Sequence, residues 1–301
     1  MSYQVEYFFN GKNSVRNSVL GESIHSSIGP WEEANLIYVG QSRLKERLQR
    51  HEPGPLVVYD VGLGIAANAL AVITATLKQQ NKEISRDFHL ISFENDLEGL
   101  RFTLDNHEHF PFLSPFLKEN KDLVALIRKN FLPTENSNQS SLSLEYQSSS
   151  GSIQTTIKWE LRVGDFLQEL NKSMPAPELI YFDFYSPKSS PDLWNYETFR
   201  RLYDATAPRR QARLTSTLLT YTSSTAVRSA MILAGFKVGY GIQTPSKLET
   251  TVASTCSAEL VAPLGQKWVE HLKRSSKPLP LDHKYSTESE AIAAVITMVS
   301  N

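Results

Sequence analysis

The sequence is nearly without cysteine, because Cys256 is the only one among its 301 residues. A single thiol cannot form an intrachain disulfide, and it excludes a zinc site built from several cysteines. No stretch approaches the ~20 consecutive apolar residues that a membrane-spanning helix requires. The N-terminus, MSYQVEYFFNGKN, lacks the basic start and the apolar core of a signal peptide. We therefore expect a cytoplasmic protein with no membrane span and no metal site.

An excess of charge of either sign is also missing, since the formal net charge is −1 at pH 7. A protein that binds nucleic acid through non-specific phosphate contacts is usually basic, so this balance argues mildly against such a role. A local basic patch is still allowed, and its candidates are Arg200, Arg201, Arg209, Arg210 and Arg213. These arginines could contact RNA phosphates, or they could simply form a solvated surface.

The chain does contain alternating strand and helix patterns. The apolar run LVVYDV at 56–61 meets Gly62, and an alanine- and leucine-rich stretch follows, which is how a nucleotide-binding βαβ unit begins. Further strands are predicted at 88–96, 157–165, 179–184 and 212–222, and helical patterns lie between them. This alternation predicts a mostly parallel sheet with helices on both faces. Two closing strands, 236–243 and 247–255, are joined too briefly for a helical crossover and must pair antiparallel.

A serine-rich stretch at 134–156 allows two interpretations. It could be a disordered linker. It could instead be a hairpin, because Leu142, Leu144 and Tyr146 alternate with other residues before the turn-like SSSGS. We favour the hairpin, at about 140–157.

Acidic residues end four of the predicted strands: Asp60, Glu94, Asp165 and Asp183. Ligands of parallel sheets bind beyond the carboxyl ends of the strands, so these positions are the candidate site. Gly62 and Gly64 would let a ligand approach the backbone closely. Glu94 could accept hydrogen bonds from both ribose hydroxyls of a nucleoside. Asp165 could bind an adenine amine, or it could cap the helix that follows.

Each of these features alone is weak, because acids and glycines are common at strand ends. Four acids with a glycine turn are more specific together, and they suit an adenosine derivative. A P-loop is absent, since no G-K-[ST] follows the glycines, and GLGIAA fits a dehydrogenase poorly. Aromatic neighbours suggest that Asp183 is buried, which requires a partner or a ligand for its carboxylate.

Seven short motifs follow one another along the chain: GESIHSSIGPWEEA (21–34), DVGLGIAAN (60–68), GD (164–165), DFYSP (183–187), SPDLW (190–194), TYT (220–222) and AGFKV (234–238). In order and spacing they resemble motifs of the MnmC-like methyltransferase family, whose members modify the wobble uridine of tRNA. The resemblance spans roughly residues 5–275. It implies a class I, Rossmann-like α/β fold with an antiparallel C-terminal hairpin. It also implies an N-terminal extension (1–54), a methyltransferase domain (55–275) and a C-terminal connector and helix (276–301).

The resemblance further implies S-adenosylmethionine as the cofactor and N-methylation of an aminomethyl group on tRNA as the reaction. The residues expected to bind the cofactor are Asp60, Gly62, Gly64, Asn68, Glu94, Asp165 and Asp183. Asp183 and Tyr185 are the expected catalytic residues, and Tyr185, Pro187 and His25 would contact the substrate. For Tyr185 and Trp194 plain packing is the competing interpretation, and for His25 it is a structural role.

Two departures from the family pattern leave the acceptor open. Ala66 replaces a third glycine, and Phe184 replaces the glycine after the key aspartate. One alternative is therefore a methyl- or aminopropyl-transferase acting on a small amine. Another is a non-catalytic relative that binds the cofactor or a protein partner. The sequence does not specify the oligomeric state.

Overall fold

The structure, a computed structural model, describes residues 2–79, 86–113, 121–132, 139–147, 154–170, 173–245 and 247–300. The chain forms two compact units, Met1–Glu169 and Leu170–Asn301. Within the described ranges no helix has the length and apolar character needed to cross a membrane. Those same residues contain no group of three or more His, Cys, Asp or Glu side chains placed to hold a metal ion.

The described residues of the first unit form seven strands. They are β1 (Tyr3–Tyr7), β2 (Asn13–Asn17), β3 (Glu22–Ser23), β4 (Leu56–Val61), β5 (Phe88–Glu94), β6 (Gln139–Gln147) and β7 (Gln154–Val163). Its described helices are α1 (Pro30–Glu33), a π-helical segment (Ala34–Gly40), α2 (Leu44–Leu48), α3 (Ala67–Gln79), α4 (Glu98–Asp105), α5 (Lys121–Phe131) and α6 (Phe166–Glu169). Two short 3-10 segments, His107–His109 and Pro111–Leu113, follow α4.

The strands of this unit pair in two groups. β1, β2 and β3 form an antiparallel sheet. The others lie in the order β4-β5-β7-β6, with β4 parallel to β5 and β5 parallel to β7. Every residue of β4 is buried, which explains why its sequence is a continuous apolar run rather than an alternating one. Only Asp60 interrupts that run.

The serine-rich segment forms β6, which pairs antiparallel with β7 from Gln139↔Arg162 to Gln147↔Gln154. This pairing is what the hairpin interpretation requires. The turn-like SSSGS lies outside the described residues. The predicted boundaries at 54/55 and 275/276 stay a prediction.

The second unit contains β8 (Leu179–Phe182), β9 (Thr217–Thr220), β10 (Lys237–Tyr240) and β11 (Thr251–Ser254). Its helices are α7 (Tyr196–Ala205), α8 (Ala207–Gln211), α9 (Thr225–Ala234), α10 (Gln266–Arg274) and α11 (Glu288–Ser300), with 3-10 segments at Pro191–Leu193 and Ser257–Glu259. The strand order is β10-β11-β9-β8. β8 and β9 are parallel, whereas β11 is antiparallel to both β9 and β10, so the predicted antiparallel closing strands are confirmed.

Side chains fix several helix ends of this unit. The Asn195 side chain accepts a hydrogen bond from the Thr198 amide at the start of α7. The two carboxylate oxygens of Asp282, in the connector before α11, accept from the amides of Tyr196 (2.7 Å) and Glu197 (3.0 Å). Gly235 ends α9 in the left-handed region with φ 118°, which is common for a glycine directly after a helix.

One element boundary differs from the sequence-based expectation. The strand expected at 212–222 is only Thr217–Thr220, because α8 extends to Gln211 and Arg213 turns the chain with φ 58°. Before the strand, α7 begins at Tyr196, and Trp194 follows a separate 3-10 turn outside that helix.

Candidate functional site

The glycine turn after β4 adopts a left-handed backbone. Gly62 has φ 96° and Gly64 has φ 53°. The amides of Gly62 and Leu63 both donate to the Phe93 carbonyl of β5, at 3.0 and 3.2 Å. Because side chains disfavour these dihedral angles, the two glycines are required for this turn. The strand–turn–helix unit is therefore formed as the sequence predicted.

Ala66 lies in the same turn and is the third residue with positive φ, at 63°. A left-handed conformation costs a non-glycine residue about 1–2 kcal/mol. The Ala66 side chain is fully buried, so the packing of its methyl group offsets part of that cost. The replacement of glycine by Ala66 therefore adds local strain, but the backbone of the turn keeps its left-handed conformation.

Glu94 ends β5 and connects to the glycine turn. Its Oε2 accepts from the Gly64 amide and its Oε1 from the Asn95 amide, both at 2.8 Å. Burial raises the pKa of this carboxyl to about 7, although the two amides act in the opposite direction. A carboxylate has about four acceptor positions. Glu94 therefore keeps acceptor capacity for a ligand.

The end of β7 lies beside Glu94. The Gly164 amide donates to the Glu94 carbonyl at 2.9 Å, and Gly164 has φ 146°. Asp165 follows, is exposed, and accepts from the Gln168 amide at 2.9 Å. The capping role predicted for Asp165 is thus present, on a helix of only four residues. Its contact with adenine stays a prediction.

Asp60 is expected to contact the cofactor, and that contact stays a prediction. Its side chain is fully buried, and its Oδ2 accepts from the Ser92 hydroxyl at 2.8 Å. Ser92 in turn accepts from the Trp159 indole at 3.0 Å. This buried chain across β4, β5 and β7 gives Asp60 a structural role inside the sheet. Asn68 is also buried, at 3% exposure on α3, and its contact with the cofactor stays a prediction.

His25 was expected to contact the substrate, and it too is buried. Its Nδ1 lies 3.3 Å from Glu33 Oε2. Glu33 also accepts hydrogen bonds from the amide and the hydroxyl of Ser26. Burial raises the pKa of the Glu33 carboxyl, but the contacts with His25 and Ser26 lower it by more, so the pKa lies below its ordinary value. His25 therefore ties its own segment together, and its contact with the substrate stays a prediction. The neighbouring Ile24 does reach the glycine turn, 3.4 Å from where a Gly64 Cβ would lie.

In the second unit, Asp183, Tyr185 and Pro187 follow the end of β8 and are all partly exposed. The burial expected for Asp183 is thus incomplete. The Trp194 indole N–H donates to the Tyr185 carbonyl at 2.8 Å, and Trp194 is 4% exposed. Trp194 is therefore packed in the interior of this unit.

Phe184 is buried, and its ring packs on Phe182 with centroids 5.8 Å apart. Its carbonyl accepts from the Tyr221 hydroxyl at 3.0 Å. Phe184 is one of the two departures that leave the acceptor open, and its buried ring is part of the interior of this unit.

Most of the arginines expected to form a basic patch have partners within the chain. Arg200 pairs with Asp204 and Arg201 with Glu197, each one turn away on α7. Arg209 is buried with Glu178 at 3.3 Å. Arg210 lies 4.0 Å from the centroid of the Tyr203 ring. The interpretation as an RNA-binding patch is therefore not supported for Arg209 and is weakened for the other three.

Comparisons with known proteins agree with this geometry. Residues 135–256 match the model of a family described as S-adenosyl-L-methionine-dependent methyltransferase. The tRNA 5-methylaminomethyl-2-thiouridine biosynthesis bifunctional protein MnmC of Aeromonas hydrophila is 28% identical over 238 residues. Its counterpart in Aeromonas salmonicida is 29% identical over 241 residues. The resemblance to the MnmC-like methyltransferases is confirmed. Each alignment covers 76% of this chain and 32% of the relative, so the chain spans about a third of their length.

A solved structure shows the same fold. The crystal structure of MNMC2 from Aquifex aeolicus superposes with a TM-score of 0.62 at 21% identity, over 99% of this chain and 83% of that chain. The predicted class I methyltransferase fold is thereby confirmed. Residues 135–256 are thus similar to an S-adenosyl-L-methionine-dependent methyltransferase family, and most of the chain is similar to part of the MnmC proteins.

The sequence reasoning missed two residues of the second unit. Tyr221 was noted only as part of a motif, and Lys247 was given no role. The Lys247 Nζ lies 3.9 Å from the centroid of the Tyr221 ring and donates to the Tyr221 carbonyl at 3.3 Å. The TYT motif marked Tyr221 as resembling the family, but no pattern pointed to Lys247.

Proposed function

We propose that this protein transfers a methyl group from S-adenosylmethionine to an amine, and that the amine is an aminomethyl group on a wobble uridine of tRNA. The observation that supports methyl transfer most directly is the pair of hydrogen bonds at Glu94, whose carboxylate accepts from the Gly64 amide and whose carbonyl accepts from the Gly164 amide. The acceptor is suggested by the MnmC relatives, whose names describe tRNA 5-methylaminomethyl-2-thiouridine biosynthesis.

The residues at the ends of β4, β5 and β7 suit an adenosine group. A side chain at Gly64 would approach Ile24, so its absence keeps the space at the turn open. Glu94 is proposed to accept hydrogen bonds from the two ribose hydroxyls, and Asp165 from the adenine amine. Two hydroxyl donors favour the ionised form of Glu94, so we expect the nucleoside to lower the pKa of this carboxyl.

Bound S-adenosylmethionine supplies a methyl group on a positively charged sulfur. An amine could accept that group by attack in line with the carbon–sulfur bond, which would leave a neutral thioether and release a proton from the amine to solvent. Such a displacement depends on alignment, and good positioning can supply much of the rate.

Asp183 is proposed to align the amine. Its carboxylate would accept a hydrogen bond from an N–H of the amine and so direct the lone pair. A carboxylate of ordinary pKa is a poor base for an ammonium group, so positioning rather than proton removal is the proposed role. Tyr185 and Pro187 would form the wall of the acceptor pocket, and the Tyr185 ring could stack on a base.

The test is methyl transfer from labelled S-adenosylmethionine to bulk tRNA from cells that lack this protein, beside a panel of small amines. Asp183→Asn keeps the shape of the side chain and should lower kcat by roughly 100-fold, because the amine loses its charged partner. Asp192→Asn, in the exposed 3-10 turn nearby, is the matched control and should leave kcat within twofold.

Each result has a defined meaning. Label in tRNA supports the proposal, and label only in small amines would replace the acceptor while keeping the chemistry. No transfer to any acceptor, together with retained cofactor binding, would favour a non-catalytic relative. If Asp183→Asn transferred methyl groups as fast as the wild type, the role of Asp183 would be wrong.

A further inference from the structure

Two side-chain donors hold the segment that follows β8. The strand ends at Phe182, so the carbonyls of Phe184 and Tyr185 lie outside it. The Tyr221 hydroxyl donates to the Phe184 carbonyl at 3.0 Å, and the Trp194 indole donates to the Tyr185 carbonyl at 2.8 Å. Two successive carbonyls, directly after Asp183, are thus held by side chains from two other parts of the second unit.

The donors themselves are held in place. The Trp194 ring packs edge-on against Phe182 and Tyr221, with centroids 4.9 and 5.8 Å apart. The Lys247 ammonium lies over the Tyr221 ring and also donates to the Tyr221 carbonyl. A cation over an aromatic face is attracted by the ring quadrupole. Lys247 comes from the connection between β10 and β11, so residues distant in sequence converge on this segment.

We propose that Tyr221 and Trp194 are positioning residues, which set the place of the Asp183 and Tyr185 side chains through the backbone between them. The inference rests on the proposed function, in which Asp183 aligns the amine. A displacement of about 1 Å in a reacting geometry can reduce a rate by roughly 100-fold. Carbonyls fixed at two adjacent residues restrict the rotation that would produce such a displacement.

A packing role alone makes a different prediction. The apolar contacts of Tyr221 are those of its ring, and Tyr221→Phe keeps the ring while it removes the hydroxyl. If the ring were only packing material, this change would leave activity intact. If the hydrogen bond positions the segment, kcat falls while the KM for S-adenosylmethionine, bound by other residues, stays within about twofold.

The experiment compares wild type, Tyr221→Phe and the control Tyr203→Phe. The Tyr203 hydroxyl has no hydrogen-bond partner among the described residues, and its ring, like that of Tyr221, lies beside a cation. We expect Tyr221→Phe to lower kcat roughly tenfold. Lys247→Met is a second variant, which removes the cation over Tyr221 without touching the interior and should lower kcat in the same direction.

Amide hydrogen exchange provides a readout that does not depend on activity. The amides of Ser189 and Ser190 both donate to the Ser186 carbonyl at 2.9 Å, so their exchange reports on the order of the segment. Loss of one hydrogen bond should speed their exchange roughly fivefold in Tyr221→Phe and not in Tyr203→Phe.

Unchanged exchange in Tyr221→Phe would overturn the inference whatever the activity. Faster exchange with unchanged kcat would overturn it as well, because the order of the segment would then have no influence on catalysis. If the wild type itself transferred no methyl group, the proposed function would fail, and the exchange comparison alone would decide whether the two donors order the segment.

Discussion

The pKa of Glu94 predicts how cofactor binding depends on pH. Burial raises the pKa of this carboxyl to about 7, and we propose that only the ionised form accepts hydrogen bonds from both ribose hydroxyls. The apparent dissociation constant then grows by the factor 1 + 10^(pKa − pH). With a pKa of about 7, binding at pH 6 is about tenfold weaker than at pH 8, or about 1.4 kcal/mol.

Adenosine is the probe of choice, because it has the ribose hydroxyls but no amino-acid group that titrates near neutral pH. Calorimetry between pH 6 and 8 should show the loss of affinity in the wild type. Glu94→Gln, which cannot ionise, should bind more weakly at pH 8 and with no such dependence on pH. A wild-type affinity that is constant across this range, or an equal slope in Glu94→Gln, would refute the reasoning.

The same group affects the stability of the protein without ligand. The pKa of Glu94 in the folded chain lies above its reference value of 4.5, so the folded state holds this proton more tightly than the unfolded state does. The contribution to stability is therefore complete below pH 4.5 and is lost as pH rises towards 7. The difference in pKa corresponds to about 3 kcal/mol at most. Urea denaturation of Glu94→Gln should show a smaller decline over this interval.

Two further predictions concern stability alone. Gly235→Ala should lower the free energy of unfolding by about 2–4 kcal/mol, because φ is 118° and the new Cβ would lie 2.8 Å from the Tyr203 ring. The control is Gly265→Ala, where a Cβ meets nothing within 4 Å. Equal melting temperatures of the two variants in thermal denaturation would contradict the prediction. Arg209→Met should cost about 3–5 kcal/mol, because it removes the cation paired with the fully buried Glu178. Adding Glu178→Leu should recover much of that loss, and a double variant as unstable as Arg209→Met would contradict the argument.

The parts of the fold that could be predicted are those set by local pattern. The buried run 56–61, the glycine turn and the acids at strand ends each follow from short stretches of sequence, and Glu94 and Asp165 do lie at strand ends beside the turn. The exposed Asp165 and the buried Asp60 look alike in the sequence, because both are single acids at the end of an apolar strand. Only the Ser92 hydroxyl on the neighbouring strand distinguishes Asp60, and a strand register cannot be read from one sequence.

The second unit shows the same limit. Phe184 replaces a glycine of the family pattern, which suggested a changed pocket. The direction of the backbone after β8 decides whether its ring faces a ligand or Phe182, and the sequence does not give that direction. Arg209 looks like the arginines around it, and its burial follows from the distant Glu178. Lys247 and Tyr221 are 26 positions apart, so their contact is a property of the fold and not of a motif.

The Asp282 carboxylate has a practical consequence for anyone who divides this protein into fragments. It accepts both amides at the start of α7, and the Ser229 hydroxyl of α9 donates to the Pro278 carbonyl of the same connector. A fragment ending at residue 275 would therefore lose the acceptor for two helix amides and the acceptor for the Ser229 hydroxyl. Residues 276–301 read as an appendage in the sequence, yet a soluble, folded fragment of the second unit should include them.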